Sequence, residues 1–185
     1  FQFMPALVET PMAGMLGFDE SGGLVWVNAV ASTLAHLLEC GAGQDEVARF
    51  EARWQGERLV MDKWFSLQIL CAAPDQAAEV TAKLTQHKLF DWKNPNRFRA
   101  VFGALSGNHA GFHHASGAGY ALMADWLIKL DPLNPQTAAR MSGAYETWAR
   151  YDAGRQALIK GQLARIAAAP GISRNLAEMV ARMNG

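Results

Sequence analysis

Apolar residues recur along most of the chain at the three- and four-residue spacing of an α-helix. From Val25 onward they form stripes along one side of successive segments, and no segment shows the polar–apolar alternation with β-branched residues that is typical of a strand. The stripes lie in these ranges: Val27 to Leu38, Val47 to Trp54, Val60 to Leu67, Ala77 to Leu84, Phe98 to Leu105, Met141 to Trp148 and Leu176 to Met183. The pattern predicts an all-α fold of about eight or nine helices.

Two helix starts are marked by the same dipeptide. Asn94-Pro95 and Asn134-Pro135 each place a capping Asn before a Pro at the first helical position, where the missing N–H costs nothing. The helix that begins at Pro95 is expected to carry the apolar stripe from Phe98 to Leu105. The helix that begins at Pro135 is expected to carry the apolar stripe of Met141, Tyr145 and Trp148. Pro74-Asp75 is expected to form the first turn of another helix.

The segment from Tyr120 to Leu130 is apolar on most sides, which predicts a buried central helix. Its polar residues Asp125 and Lys129 are four apart, so we expect them to form an ion pair along the helix. A further helix is expected from Asp152 to about Ala168, ended by Pro170 and Gly171.

The spacing of these elements predicts how they pack. Short connections favour antiparallel neighbours, and the two Asn-Pro starts at residues 94 and 134 lie 40 residues apart, near the period of two-helix repeats. We therefore expect stacked antiparallel helix pairs in a domain covering residues 24–185. Residues 1–23 are rich in Met, Pro and Gly without a sustained period, and we expect an irregular N-terminal extension there. Because the chain begins with Phe1, we expect a fragment or a processed product.

Composition narrows the class of protein. Half of the residues are apolar, and 17 Lys and Arg balance 17 Asp and Glu, which gives no electrostatic reason to expect nucleic acid or an anionic membrane as a partner. No apolar run is long enough to span a bilayer, and no basic region precedes an apolar N-terminal segment. We therefore expect a cytoplasmic protein. Its Cys40 and Cys71 are expected to be buried reduced thiols, although a disulfide between them stays open.

The segment from His109 to His113 has the H-x-x-x-H spacing of zinc peptidase helices. The Glu that should follow the first His is absent, and the surrounding glycines favour a loop over a helix that would align the imidazoles. His114 adds a third imidazole, so adventitious metal binding stays open. The chain also lacks the glycine-rich phosphate loop, the Rossmann glycines and the G-x-S-x-G elbow. We therefore predict no catalytic centre and no metal site of the chain's own.

Several charged residues lie next to apolar stripes. Arg97 and Arg99 are expected on the side of their helix opposite the Phe98 stripe. Asp62 and Lys63 lie inside an apolar run, where unpaired charges are costly, so we expect them to form interhelical or interdomain bonds.

Five ordered blocks of sequence resemble the C-terminal helical domain of bacterial M1-family zinc aminopeptidases of the aminopeptidase N type. The blocks are Leu59 to Gln68; Phe90 with Asn94 to Arg99; Phe112-His113 with Ser116 to Tyr120; Leu130 with Asn134 to Gln136 and Arg140; and Arg150 to Asp152 with Arg155-Gln156. The resemblance is strong from about Asn28 onward and absent before Gly23. It implies a HEAT- or armadillo-like superhelical stack that closes over the active-site chamber of a peptidase.

The resemblance also implies what this chain lacks. In the family, zinc is held by an HExxH motif and a distal Glu in a separate catalytic domain, and neither that motif nor the exopeptidase GxMEN motif occurs here. The chain alone is therefore expected to be inactive. Its implied partners are the catalytic domain of the same polypeptide and peptide substrates.

By resemblance, Gln136 and Arg140 approach the substrate beyond the scissile bond. They are four apart and share a helix side, and the fork of donors on Arg140 suits a peptide carboxylate or carbonyl. A solvated helix side or a cap of the preceding loop is the alternative. Structural or interdomain roles are expected for five further residues: Asn94, Arg97, Asp62, Lys63 and Tyr120.

A second hypothesis for the whole chain is a stand-alone helical-repeat module that binds a peptide or protein on its concave side. A peptidase domain should expose a docking surface that the rest of its polypeptide covers. A free-standing module should be compact and monodisperse without a partner.

Overall fold

The structure, a computed structural model, describes residues 44–184, and every regular element in that range is a helix. The nine α-helices are α1 Gln44–Trp54, α2 Arg58–Leu70, α3 Ala77–Leu84, α4 Pro95–Gly107, α5 His109–Phe112, α6 Ala118–Leu130, α7 Pro135–Ser142, α8 Ala153–Ala167 and α9 Arg174–Asn184, with 3-10 turns at Gly143–Tyr145 and Trp148–Arg150. The all-α prediction is confirmed. The predicted extension over residues 1–23, the predicted helix around residues 27–38 and Cys40 lie outside the described residues.

The helices form pairs that stack in two rows. The pairs are α1 with α2, α3 with α4, α6 with α7, and α8 with α9. One row contains α2, α4, α7 and α9 in that order, and the other contains α3, α6 and α8. The stacked-pair prediction is therefore confirmed.

Helices that follow one another in a row run in the same direction. Between α2 and α4, Ser66 Oγ donates to the Ala100 carbonyl at 2.8 Å, and Arg97 Nε donates to Asp62 Oδ1 at 2.5 Å. These partners are 34 and 35 residues apart, so both helices advance together along the chain. This spacing is close to the length of a two-helix repeat.

The core lies between the two rows and is rich in aromatic side chains. Phe98 stacks on Phe102 with ring centroids 4.6 Å apart, and the edge of Trp126 closes over Phe90 at 5.3 Å. The largest fully buried side chains come from both rows: Tyr120, Tyr145, Phe65, Phe98, Phe102, Phe112, Met61, Ile69, Leu105, Met123 and Leu127. Burial of these side chains is the main term that holds neighbouring pairs together.

The predicted helix starts are confirmed in their capping detail. Asn94 Oδ1 accepts hydrogen bonds from the N–H groups of Asn96 and Arg97, and Asn134 Oδ1 accepts from the N–H of Thr137 at 3.0 Å. Asp152 caps α8 through the N–H of Arg155. Each cap satisfies an N–H that has no partner within its helix.

Three predicted boundaries are wrong. The helix that begins at Pro135 ends at Ser142 instead of continuing through Trp148, and Tyr145 lies in a 3-10 turn where its hydroxyl donates to the Tyr120 carbonyl at 2.7 Å. Pro74 and Asp75 lie in the turn before α3. The segment from His109 to Phe112 is one helical turn because the Asn108 side chain caps it.

The predicted ion pair between Asp125 and Lys129 is also wrong. Arg165 of α8 donates to Asp125 Oδ1 at 2.6 Å and to the Ala121 carbonyl, which joins α6 to α8. The Lys129 ammonium lies over the rings of Trp126 and Trp92, at 4.1 and 4.9 Å from their centroids. Asp125 thus pairs with Arg165, which is 40 residues away on the neighbouring helix, and not with Lys129, which is one turn away on the same helix.

Cys71 corrects the prediction of buried thiols. It is the C-terminal capping residue of α2, and its side chain is exposed.

Candidate functional site

The two residues assigned to a substrate chamber by resemblance lie on the outer side of α7. Gln136 is in the first turn and Arg140 one turn later, and both side chains are exposed. Asn134 and Pro135 fix where the helix begins, so the sequence sets which side of α7 faces outward. The structure thus presents an amide and a guanidinium side by side on one helix surface.

The opposite sides of α7 are anchored in the fold. Ala138, Ala139 and Ser142 are buried, and Ser142 Oγ donates to the Ala139 carbonyl at 2.7 Å. Small side chains let α7 pack closely against α9, its neighbour in the row. The helix is therefore a fixed platform for its two exposed polar residues.

Behind α7 lies a buried node of aromatic and polar side chains. His113 Nδ1 and Tyr120 Oη share a hydrogen bond of 2.9 Å, and the Tyr151 ring stacks on the imidazole at 4.0 Å. Tyr145 adds its bond to the Tyr120 carbonyl. This His113–Tyr120–Tyr145 node connects the turn after α5, the start of α6 and the turn after α7.

The three titratable groups of this node have shifted pKa values that favour their uncharged forms, which suits a structural role. Burial lowers the pKa of His113 to about 4, with smaller contributions from the nearby His109 and Arg155. Burial also raises the pKa of Tyr120 to about 12 and raises that of Tyr145 further. At neutral pH the imidazole is neutral and both phenols keep their protons, so none of the three groups is poised for acid–base catalysis.

Arg155 ties α8 to this node. Its Nε donates to the His113 carbonyl at 2.6 Å, while Nη1 forms an ion pair with Asp152 at the start of its own helix. Hydrogen bonds from Arg155 lower the pKa of Asp152. In the sequence, Arg155 is notable only as part of a block that resembles the family. Its contact with His113 could not be predicted because the two residues are 42 apart in the sequence.

The H-x-x-x-H segment does not form a metal site. His109 is exposed, whereas His113 is buried with its Nδ1 engaged by Tyr120. Over residues 44–184, no three His, Cys, Asp or Glu side chains come together in a way that could hold a metal ion. The described residues therefore do not form a zinc site, and no role of this domain is attributed to a bound metal.

Arg97 is placed differently from the sequence-based expectation. It is 7% exposed instead of lying on the polar side of its helix, and its guanidinium bonds Asp62 and the carbonyls of Leu89 and Arg58. The same group lies 4.8 Å over the Phe65 ring. Lys63, next to Asp62, is exposed on α2. Of the two charged residues Asp62 and Lys63, Asp62 thus forms the interhelical bond, with Arg97 of α4.

The buried carboxylate of Asp131 was missed by the sequence reasoning. Asp131 is 2% exposed and accepts bonds from the N–H and hydroxyl of Ser173, at 2.6 and 2.5 Å. It holds the start of α9 against the end of α6. The signal in the sequence is only an acid after one helix and a Ser before another, 42 residues apart.

No helix between residues 44 and 184 has the length and apolar character needed to cross a membrane.

Comparisons with known proteins agree on one kind of domain. A family model described as a domain of unknown function (DUF3458_C) with ARM repeats matches residues 26–185. Aminopeptidase N of Caulobacter vibrioides is 43% identical over 137 residues, which are 74% of this chain and 16% of that protein. Aminopeptidase N of Escherichia coli is 34% identical over 183 residues, which are 96% of this chain and 21% of that protein.

A solved structure shares the fold. The crystal structure of Legionella pneumophila aminopeptidase A in complex with aspartic acid superposes with a TM-score of 0.76 at 31% identity, over 83% of this chain and 18% of that one. Aminopeptidase N of Haemophilus influenzae is 40% identical over 72% of this chain and 15% of its own length. The chain thus spans about a fifth or less of the proteins that it matches.

Proposed function

The chain belongs to the DUF3458_C family of ARM-repeat domains, and because its relatives are aminopeptidases, we propose that it is the helical C-terminal domain of a longer zinc-dependent M1 aminopeptidase. The whole enzyme removes N-terminal residues from peptides in the cytoplasm. The observation that carries this proposal is the match to aminopeptidase N over nearly the full chain. The zinc and the catalytic groups belong to the remainder of the polypeptide.

Within that enzyme, this domain covers the active-site chamber and limits access to short peptides. The stack supports the role because the packed helix pairs hold the exposed side of α7 in a fixed position. The exposed side of α7 is the part that faces the chamber, with Gln136 and Arg140 toward the substrate beyond the scissile bond. Asn94, Arg97, Asp62 and Tyr120 maintain the shape of that surface, and the exposed Lys63 is a candidate for interdomain contact.

Arg140→Ala in the full-length enzyme is expected to raise KM for short peptides by about threefold to tenfold, with kcat nearly unchanged. A guanidinium that contacts the peptide equally in the ground and transition states contributes to binding alone. Steady-state kinetics on di- and tripeptides measure the effect. Gln136→Ala is expected to act in the same direction but less, since it removes no charge. Unchanged kinetics in both variants would show that α7 does not line the substrate chamber.

The size of the native protein in its source cell tests the proposed function directly. An antibody raised against this chain should detect a band several times larger than 20.2 kDa, and that band should co-fractionate with aminopeptidase activity that a zinc chelator abolishes. A band at 20.2 kDa alone, with no associated peptidase, would contradict the proposal and favour a stand-alone helical-repeat binding module.

A further inference from the structure

The exposed side of α2 carries a row of side chains at helical spacing. Leu59, Lys63, Ser66 and Leu70 follow one another at intervals of four, three and four residues, so they lie on one side of the helix. Leu59 is 54% exposed and Leu70 is 46% exposed, Lys63 is exposed, and Ser66 is half-buried. The buried residues of the helix face its other sides: Val60, Met61, Trp64, Phe65 and Ile69. We refer to the four outward-facing residues as the α2 strip.

The two ends of the α2 strip are apolar. Among residues 44–184, four large apolar side chains are exposed, and two of them are Leu59 and Leu70. At the helical rise per residue they are about 16 Å apart along the same side of one helix. A single exposed leucine is ordinary on a protein surface, whereas two on one helix side form a surface that a partner can cover.

Beside the α2 strip, α4 has little side-chain bulk. Ser66 Oγ donates to the Ala100 carbonyl at 2.8 Å, which places α4 directly against this part of α2. A β-carbon built at Gly107 would be 3.4 Å from Leu70 Cδ2, and one at Gly103, a turn earlier, would have no atom within 4 Å. A partner that covers Leu70 can therefore also approach the backbone of α4 closely.

Lys63 supplies a positive charge between the two leucines. Its neighbour Asp62 pairs with Arg97 of α4, and within residues 44–184 Lys63 forms no ion pair. The exposed cations Lys83 and Arg174, in contrast, each pair with a Glu one turn away. A partner that covers the α2 strip therefore needs a carboxylate opposite Lys63, since a buried ammonium without a counter-charge is costly.

The composition of the α2 strip suits a contact between domains. Interfaces between domains of one polypeptide mix apolar and polar residues, as this strip does with its leucines, lysine and serine. The chain spans only 16% of the Caulobacter vibrioides aminopeptidase N and 21% of the Escherichia coli one. Most of an enzyme of this kind thus lies outside the helical stack and is attached to it, which supplies a partner for an uncovered apolar surface.

We propose that the α2 strip is the surface on which this domain docks against the remainder of its own polypeptide, on an apolar patch with a carboxylate opposite Lys63. This inference rests on the proposed function and adds to it a docking surface and two residues, Leu59 and Leu70. The surface belongs to a different helix from the proposed chamber side of α7.

Thiol labelling of the full-length enzyme tests whether the strip is covered. Leu59→Cys and Ala164→Cys each place a thiol at a position that is exposed in this domain, the first in the strip and the second on α8. Mass spectrometry of the peptide that contains the new cysteine follows its reaction with a maleimide separately from that of other thiols. In the folded enzyme, Leu59→Cys should react at least about tenfold more slowly than Ala164→Cys, because access limits the rate. In urea the two rates should be equal.

Crosslinking of the unsubstituted full-length enzyme identifies the partner. A carbodiimide joins an amine to a carboxylate that is in contact with it, so Lys63 should become linked to an Asp or Glu outside residues 1–185. In a mixture of isotopically labelled and unlabelled enzyme, both linked peptides should carry the same isotope, which assigns them to one molecule. Lys83 is the matched control, since it is exposed and pairs with Glu79, and it should give products only within this domain.

The inference is overturned if Leu59→Cys reacts as fast as Ala164→Cys in the folded enzyme, or if Lys63 gives no product with the remainder of the polypeptide. A Lys63 product that joins two copies would also overturn it, because the strip would then be a surface for self-association. The same holds if labelling of Leu59→Cys is slow only when a peptide substrate is present, which would make the strip a substrate site. Failure of the proposed function looks different: the source cell would then contain the 20.2 kDa chain alone, with no peptidase attached.

Discussion

The imidazole of His113 shows how one residue ties several elements together. It bonds Tyr120, stacks on Tyr151, and through its backbone carbonyl receives the Arg155 guanidinium. Because burial favours the neutral ring, protonation of His113 opposes the folded state. Lowering the pH therefore destabilises the fold at His113.

We expect the domain to lose stability as the pH falls from about 6.5 to about 4. The pKa of His113 is about 4 in the fold against 6.5 ordinarily, so in this window the unfolded chain binds a proton that the folded chain does not. Stability therefore rises with pH across the window and is fully present above it. After allowance for solvent screening, the contribution is about 1–2 kcal/mol. Urea unfolding at both ends of the window measures it.

His113→Asn is the control for this prediction. The amide keeps a polar atom near Tyr120 but does not titrate, so its stability should change less across the same window. Equal losses in the variant and the wild type would assign the acid sensitivity to other groups.

Side chains with partners close in sequence could be predicted, and those with distant partners could not. Asn94 and Asn134 cap within three residues, so their roles follow from local spacing. Arg97 was expected on the side of its helix opposite the Phe98 stripe. Its acceptors on Asp62, Leu89 and Arg58 become visible only when α2 lies beside α4.

At the scale of elements, the junction between α5 and α6 depends on glycine. Gly117 has φ of +70°, a backbone conformation that favours glycine, and it is the N-terminal capping residue of α6. Gly119 lies against the preceding element, since a β-carbon there would be 2.8 Å from the Phe112 carbonyl oxygen. The junction is therefore a close packing contact between the start of α6 and Phe112.

Gly119→Ala is expected to destabilise the domain by about 2–3 kcal/mol, because the added methyl group meets backbone atoms that cannot rotate away. Gly161→Ala, in the interior of α8 with no atom within 4 Å of the new β-carbon, should stabilise it by about 0.5–1 kcal/mol. Urea or thermal unfolding of both variants provides the comparison. Equal shifts in both would mean that helix propensity, and not the Phe112 contact, determines the outcome.

The sequence predicted which segments are helical better than it predicted where each helix ends. The stripe through Tyr145 and Trp148 continues the helical period, but the chain changes to 3-10 turns after Ser142. Tyr145 gains full burial and a hydrogen bond to the Tyr120 carbonyl in that arrangement. A tertiary contact 25 residues away thus overrides the local pattern.

At the scale of the whole molecule, each helix pair is attached chiefly to its neighbours in the stack. The last pair is held by bonds such as those from Ser173 to Asp131 and from Trp148 Nε1 to the Met183 carbonyl, at 2.9 Å. Sequence periodicity predicted the pairs, and the aminopeptidase resemblance predicted their superhelical order. The bonds between pairs span about one repeat, and the sequence does not mark them.

Asp131→Asn is expected to destabilise the last pair by about 1–3 kcal/mol, because a buried acceptor of two hydrogen bonds loses its charge. In a nearest-neighbour stack the effect should stay local. Hydrogen exchange should accelerate in α8 and α9 and remain unchanged in α2 and α4. Glu178→Gln, at an exposed pair with Arg174, is the control and should change neither region. Uniform acceleration would indicate a stack that opens as one unit.

The parallel rows also determine how the domain can be curved. The curvature of such a stack follows from the small rotation between successive pairs, so a change in that rotation at each contact adds up along the array. In a peptidase of the proposed kind, substitutions at the contacts between pairs would therefore change the width of the entrance even where they lie far from it.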